Sequence, residues 1–158
     1  MNYFDLVIEK NLGGFVAISL KQSDAKRIKK LCDKIGIKDI NKSESMHMTL
    51  FFDEREIIFD EYEPSEEDFD ATIKGITEFT MRDKRKALVL ELESRDIIRR
   101  FNELLKMGFK TSYPEYKPHL SIKYGSTPED YQIAKENLEK FKRLGTITFH
   151  NEYSDKLR

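Results

Sequence analysis

Short apolar runs alternate along this chain with stretches whose apolar residues recur every three to four positions. The run GFVAISL (14–20) follows a glycine pair and predicts a strand. Over 23–37, Ala25, Ile28, Leu31, Cys32 and Ile35 recur at helical spacing, with Ser23 as the expected N-cap and Gly36 as the stop. HMTLFF (47–52) predicts a second strand. The acidic segment 53–70, which contains Pro64, reads mostly as loop. Residues 71–81 and 86–93 predict two strands joined as a hairpin across RDKR. A helix follows over 94–109, with Ile97, Ile98, Phe101, Leu104 and Leu105 on its apolar face. The segment 111–118 carries two prolines and reads as loop, and HLSIKYG (119–125) is a further strand. Thr127 and Asp130 form a capping box with Pro128 at the first helical position, ahead of a stripe of Tyr131, Ala134, Leu138 and Phe141. TITFHNEY (146–153) is the last strand.

The order strand, helix, histidine-headed strand occurs twice. The interval from His47 to His119 equals that from Thr49 to Ser121. The letters of the two halves differ, so the pattern repeats rather than the sequence. The expected fold is therefore α+β and two-lobed. Duplicated β-α-β units would be related by an approximate two-fold, with mainly antiparallel sheets forming a concave cleft and helices on the outer faces. The whole chain, 1–158, is expected to be one such domain.

Side chains alternate along a strand. His47, Thr49 and Phe51 then share one face, and Met48, Leu50 and Phe52 the other. In the second strand His119, Ser121 and Lys123 oppose Leu120, Ile122 and Tyr124. Phe15, Ala17 and Ser19 oppose Val16, Ile18 and Leu20, and Thr148, His150 and Glu152 oppose Ile147 and Phe149. The greasy sets suit packing under helices; the mixed sets suit a groove.

Charge and composition narrow the partners. Twenty-eight basic residues balance 29 acidic ones, so no global field draws the chain onto bulk DNA or an anionic membrane. No apolar run is long enough to span a bilayer, and the N-terminus lacks a signal-peptide pattern. The single cysteine, Cys32, forms no internal disulfide, which permits a reducing cytoplasm.

One strand histidine is ordinarily a half-exposed residue with a satisfied hydrogen bond. Two of them, each followed two residues later by a hydroxyl on the same face, point to acid–base chemistry near neutral pH. The hydroxyls of Thr49 and Ser121 suit the non-bridging oxygens of a phosphodiester. A ribose 2′-hydroxyl supplies an internal nucleophile, so no activated water is required. No carboxylate stands at ligand spacing beside either motif, so neither metal nor cofactor is expected, and His150 reads as a groove or surface residue. Lys123 either adds positive charge to the groove or is a solvated lysine. Phe15 and Phe51 are either base-stacking platforms or core packing. Glu152 either accepts from a base edge or is a solvated carboxylate.

At these residues the chain resembles the two-histidine phosphoesterase superfamily, marked by paired His-x-Thr/Ser motifs on strands of a two-lobed fold. HMTL and HLSI fit that mark, and the repeat spans nearly the whole chain. The resemblance implies His47 and His119 as catalytic acid and base, with Thr49 and Ser121 binding phosphate. Within the superfamily the openings MNYFDLVIEK and GGFVAISL look most like the phage anti-CBASS nucleases. Those degrade cyclic di- and trinucleotide messengers of a bacterial immune system, without metal and through the 2′-hydroxyl. The resemblance thus implies a host-cytoplasmic phosphodiesterase acting on cyclic di- or trinucleotides. Two other readings stand beside it: an RNA phosphodiesterase for 2′,3′-cyclic or 2′,5′-linked ends, and a protein that sequesters a nucleotide uncut. Near-neutral charge favours a small substrate over long RNA.

Overall fold

The computed structural model describes residues 15–53, 62–110 and 115–155. Six strands, β1 (Phe15–Leu20), β2 (His47–Phe52), β3 (Phe69–Thr80), β4 (Lys86–Glu93), β5 (His119–Tyr124) and β6 (Ile147–Asp155), form one sheet in the order β2-β1-β6-β3-β4-β5. Every pairing is antiparallel. The start of β3 pairs with β6 and the rest of it with β4, so β3 joins the halves of the sheet. The two histidine strands are its edges, yet β2 and β5 approach each other closely. Among the described residues four α-helices accompany the sheet: α1 (Gln22–Ile35), α2 (Arg95–Lys106), α3 (Pro128–Glu136) and α4 (Leu138–Lys142).

Alternation predicts which sheet face the helices cover. Val16, Ile18, Leu20, Met48, Leu50, Leu88, Leu90 and Leu92 share one core with Ile28, Ile97, Phe101, Leu104 and Phe141 of the helices. Ala17, Ala87 and Val89 are buried but lie outside that cluster, on the opposite face. Cys32 belongs to the core, and burial pushes its thiol up to about 12. No helix among the described residues is long and apolar enough to cross a membrane.

Several elements form for the reasons the sequence suggests. Gly36 ends α1 in the left-handed region at φ 93°, which a side chain would strain. Ser94 caps α2, its hydroxyl accepting from the Ile97 N–H. Thr127 and Asp130 cap α3 reciprocally, behind Pro128.

Other expectations are corrected. Ser23 is not the N-cap: α1 begins at Gln22 after Lys21, without a side-chain cap. The acidic side chain of its first turn, Asp24, instead accepts from the Thr148 N–H and pairs with Arg27. Ile98 and Leu105 are exposed on α2, while Arg100 takes a buried place beside Ile97, Phe101 and Leu104. The last helical stretch breaks at Asn137, whose side-chain amide donates to the Ile133 carbonyl, and Tyr131 and Leu138 are only half-buried. β3 begins at Phe69, inside the segment read as loop. The remainder of that reading falls partly on 54–61, and the 111–118 loop partly on 111–114, outside the described residues.

Candidate functional site

His47 and His119 open β2 and β5, and the two strands share one burial pattern, residue for residue. Each histidine and each hydroxyl residue, Thr49 and Ser121, is half-buried between fully buried neighbours. The imidazoles are held alike. Nδ1 of His47 lies 2.8 Å from the Ser45 carbonyl, and Nδ1 of His119 lies 2.9 Å from the Lys117 carbonyl. A carbonyl only accepts, so Nδ1–H donates in both rings. Nε2 is left with no hydrogen-bond partner among the described residues. An aromatic ring stands edge-on to each: Phe15 at 6.1 Å from His47 and Phe79 at 5.1 Å from His119.

Both strands carry a bulge at the same point. Val16 pairs with Phe51 and Ala17 with Thr49, so Leu50 is the extra residue in β2. Leu88 pairs with Lys123 and Val89 with Ser121, so Ile122 is the extra residue in β5. Beyond each bulge the alternation shifts by one residue. Phe51 therefore does not share the face of His47 and Thr49. It is buried and stacks on Phe101 at 4.5 Å, which in turn stacks on Tyr116 at 4.2 Å. Lys123 likewise turns away from His119 and Ser121, inward to Asp130 at 2.8 Å. Burial alone would raise the Asp130 carboxyl, but the Lys123 ammonium and the Thr127 N–H outweigh it and hold the carboxyl below its ordinary value. Phe52, expected in the core, is exposed, with the Arg82 guanidinium 5.6 Å from its ring.

β6 carries its own irregularity. Ala17 pairs with Tyr153 but Ser19 with His150, and Asn151 between them has φ 52°. The shift turns Glu152 away from the groove. Its carboxylate binds Arg100 through Nε at 2.7 Å and Nη2 at 2.8 Å, and accepts from the Tyr62 hydroxyl and the Ser65 N–H. Burial, then the adjoining Glu152 charge, pushes the Tyr62 hydroxyl well above its usual range. With its side chain fully buried in this network, Glu152 is closed to a base edge. Of the residues named from sequence, His47, Thr49, His119, Ser121 and Phe15 stand on one face; Phe51, Lys123 and Glu152 do not.

Reading faces by strict alternation already put Ser19 and His150 on the groove side, but it missed Tyr153 and Phe79. Ser19 pairs with both His47 and His150, forming a row across β2, β1 and β6. The matching row runs from His119 to Glu91 to Gly75. Tyr153 lies against Phe15 at 6.1 Å, and Phe79 reaches His119 from β3 across Ala87. The alternation of β3 about Gly75 was a usable signal for Phe79; the shift at Asn151 was not legible.

The edge strands are tied together by the segments that precede them. Asn41, ahead of β2, bonds the backbone of Ser121, Ile122 and Tyr124 in β5. Tyr116, ahead of β5, donates its hydroxyl to the Thr49 carbonyl in β2. These crossed contacts seat both histidine strands side by side.

A family model described as anti-CBASS protein Acb1 matches residues 12–158, which takes in both histidine strands and every described element. The anti-CBASS protein Acb1 of Vibrio phage KVP40 is 21% identical over 112 residues, 71% of this chain and 72% of that protein. The chain belongs to the anti-CBASS protein Acb1 family.

Proposed function

We propose that this protein is a two-histidine phosphoesterase that cleaves 3′,5′ linkages of cyclic di- or trinucleotide immune messengers without a metal, as a phage anti-CBASS enzyme in the host cytoplasm. The observation that carries the reading is the matched pair of imidazoles, each fixed through Nδ1 to a backbone carbonyl with Nε2 unengaged by described residues. The two halves are read as duplicated β-α-β units, because the histidine strands share burial, bulge and tether. Family membership favours the immune-messenger substrate.

Nε2 of the neutral histidine takes the proton of the ribose 2′-hydroxyl. O2′ attacks phosphorus, the P–O5′ bond breaks, and Nε2 of the protonated histidine gives its proton to O5′. The product end is a 2′,3′-cyclic phosphate. The hydroxyls of Thr49 and Ser121 donate to the non-bridging oxygens as charge grows on them. Phe15, Tyr153 and Phe79 offer π-faces for the bases beside the reacting phosphate.

The test is incubation with cyclic dinucleotides in EDTA, followed by chromatography of the products. Wild-type protein is expected to consume them, and His47→Ala and His119→Ala each to lower the rate by about 10²-fold or more. A 2′-deoxy substrate should persist. Bound but intact ligand would instead make the protein a sequestering module. Turnover of short RNA alone would make it an RNA phosphodiesterase.

A further inference from the structure

The carbonyls that engage Nδ1 fix how each imidazole is turned, but each belongs to its own strand's lead-in and leaves the span between the two rings open. The sheet is a poor ruler for that span. β2 and β5 are its opposite edges, and the path between them runs through five pairings, four of which carry a register shift. Two side chains bridge the edges directly. Asn41, ahead of β2, lies along β5: its N–H donates to the Ile122 carbonyl at 2.8 Å, its Nδ2 donates to the Ser121 carbonyl at 3.2 Å, and its Oδ1 accepts from the Tyr124 N–H at 3.1 Å. Tyr116, ahead of β5, donates its hydroxyl to the Thr49 carbonyl at 2.9 Å. Its ring stacks on Phe101, which stacks on Phe51 of β2. Each bridge thus lands on the hydroxyl residue of the opposite motif, Ser121 in one direction and Thr49 in the other.

We infer that Asn41 and Tyr116 are positioning residues that set the span between His47 and His119 and seat the two motif hydroxyls about one phosphate. The inference rests on the phosphodiesterase reading above. One proton leaves O2′ and another arrives at O5′ in a single displacement, so base and acid stand on opposite sides of phosphorus. Their separation must then match the O2′–P–O5′ line. An error of about 1 Å there costs on the order of 10²-fold in rate. Asn41 and Tyr116 act through the strands they hold, because their side-chain bonds end on backbone groups of β5 and β2. The rings of Phe15, Tyr153 and Phe79 hang on β1, β6 and β3 instead, so releasing a bridge acts on the chemical step more than on binding.

The experiment compares wild type with Tyr116→Phe and Asn41→Ala. Tyr116→Phe removes one hydroxyl and keeps the ring stack; Asn41→Ala keeps the backbone bond to Ile122. kcat is measured on cyclic diadenylate and cyclic diguanylate, and Kd and binding stoichiometry on the uncleaved 2′-deoxy form of each. Each variant is expected to lose about tenfold in kcat, with Kd within about twofold of wild type and stoichiometry unchanged. Wild-type kcat in both variants overturns the assignment while leaving the phosphodiesterase reading standing. Parallel loss of kcat, affinity and stoichiometry also overturns it, since that marks a role in folding alone. If wild type cleaves neither cyclic dinucleotide, the phosphodiesterase reading fails and takes the assignment with it.

Discussion

At single side chains, the proposed chemistry turns on which ring nitrogen each histidine presents. Ser45 and Lys117 supply the carbonyls that engage Nδ1, and each lies two residues before its histidine. The tether is local, so it belongs to the strand's own lead-in and survives changes elsewhere. Thr49 and Ser121 follow two residues on, at the same half-buried depth. Their proposed role, donation to developing charge, separates rate from affinity. Thr49→Val and Ser121→Ala should each lower kcat by about 10²-fold while changing KM little, measured from initial rates on a cyclic dinucleotide. A rise in KM at constant kcat would show ground-state binding instead. The shared face of these four residues was legible because period-two alternation holds from His47 to Thr49 and from His119 to Ser121. Phe51 and Lys123 were not, because each lies just past an extra residue that nothing in the local letters marks.

At the scale of strands and helices, the bulges decide what each strand end does. Leu50 and Ile122 both stay in the core, so the following residue is drawn inward too. In β2 that residue is Phe51, which extends a stack of rings through Phe101 to Tyr116. In β5 it is Lys123, which needs a counter-charge and finds Asp130 in the first turn of α3. The same carboxylate accepts from the Thr127 N–H, so one side chain caps the helix and pins it to the sheet. Its folded-state carboxyl is held below the ordinary value. A depressed carboxyl contributes stability that is present above its unfolded value, near 4, and is lost as pH falls through the folded one. The thermal midpoint should therefore drop as pH falls below about 4. Asp130→Asn should lower the midpoint at pH 7 and flatten that acid limb, followed by circular dichroism against pH. An unchanged acid limb would remove Asp130 from the account. The capping box was readable from Thr127, Pro128 and Asp130 alone. The partnership with Lys123 was not, since it depends on the bulge.

For the molecule as a whole, one buried ion pair joins parts of the chain that periodicity treats separately. Arg100 of α2 reaches Glu152 of β6, and the pair gathers Tyr62, the Glu63 carbonyl and the Ser65 N–H from the return leg of the β2–β3 connection. Both partners are nearly closed to water, with the Glu152 side chain fully buried. The Glu152 and Glu103 carboxylates hold the Arg100 guanidinium charged, above its already high ordinary value. An arginine among Ile97, Phe101 and Leu104 breaks the apolar stripe of α2, and a glutamate after Asn151 breaks the alternation of β6. Neither departure identifies the other from sequence, because a buried charge is explained only by its distant partner. Breaking such a pair costs more than replacing it, since the partner left behind keeps its charge without water. Glu152→Ala should therefore destabilise the protein by about 3–5 kcal/mol in urea unfolding. Arg100→Met with Glu152→Leu together should cost clearly less than the sum of the two single changes, since neither charge is then stranded. Strict additivity in that cycle would mean that the network contributes packing volume alone. Because Glu152 sits one residue from Tyr153, loosening it should also weaken binding of a base beside Phe15. The double variant, if folded, is then expected to show a raised KM with kcat closer to wild type.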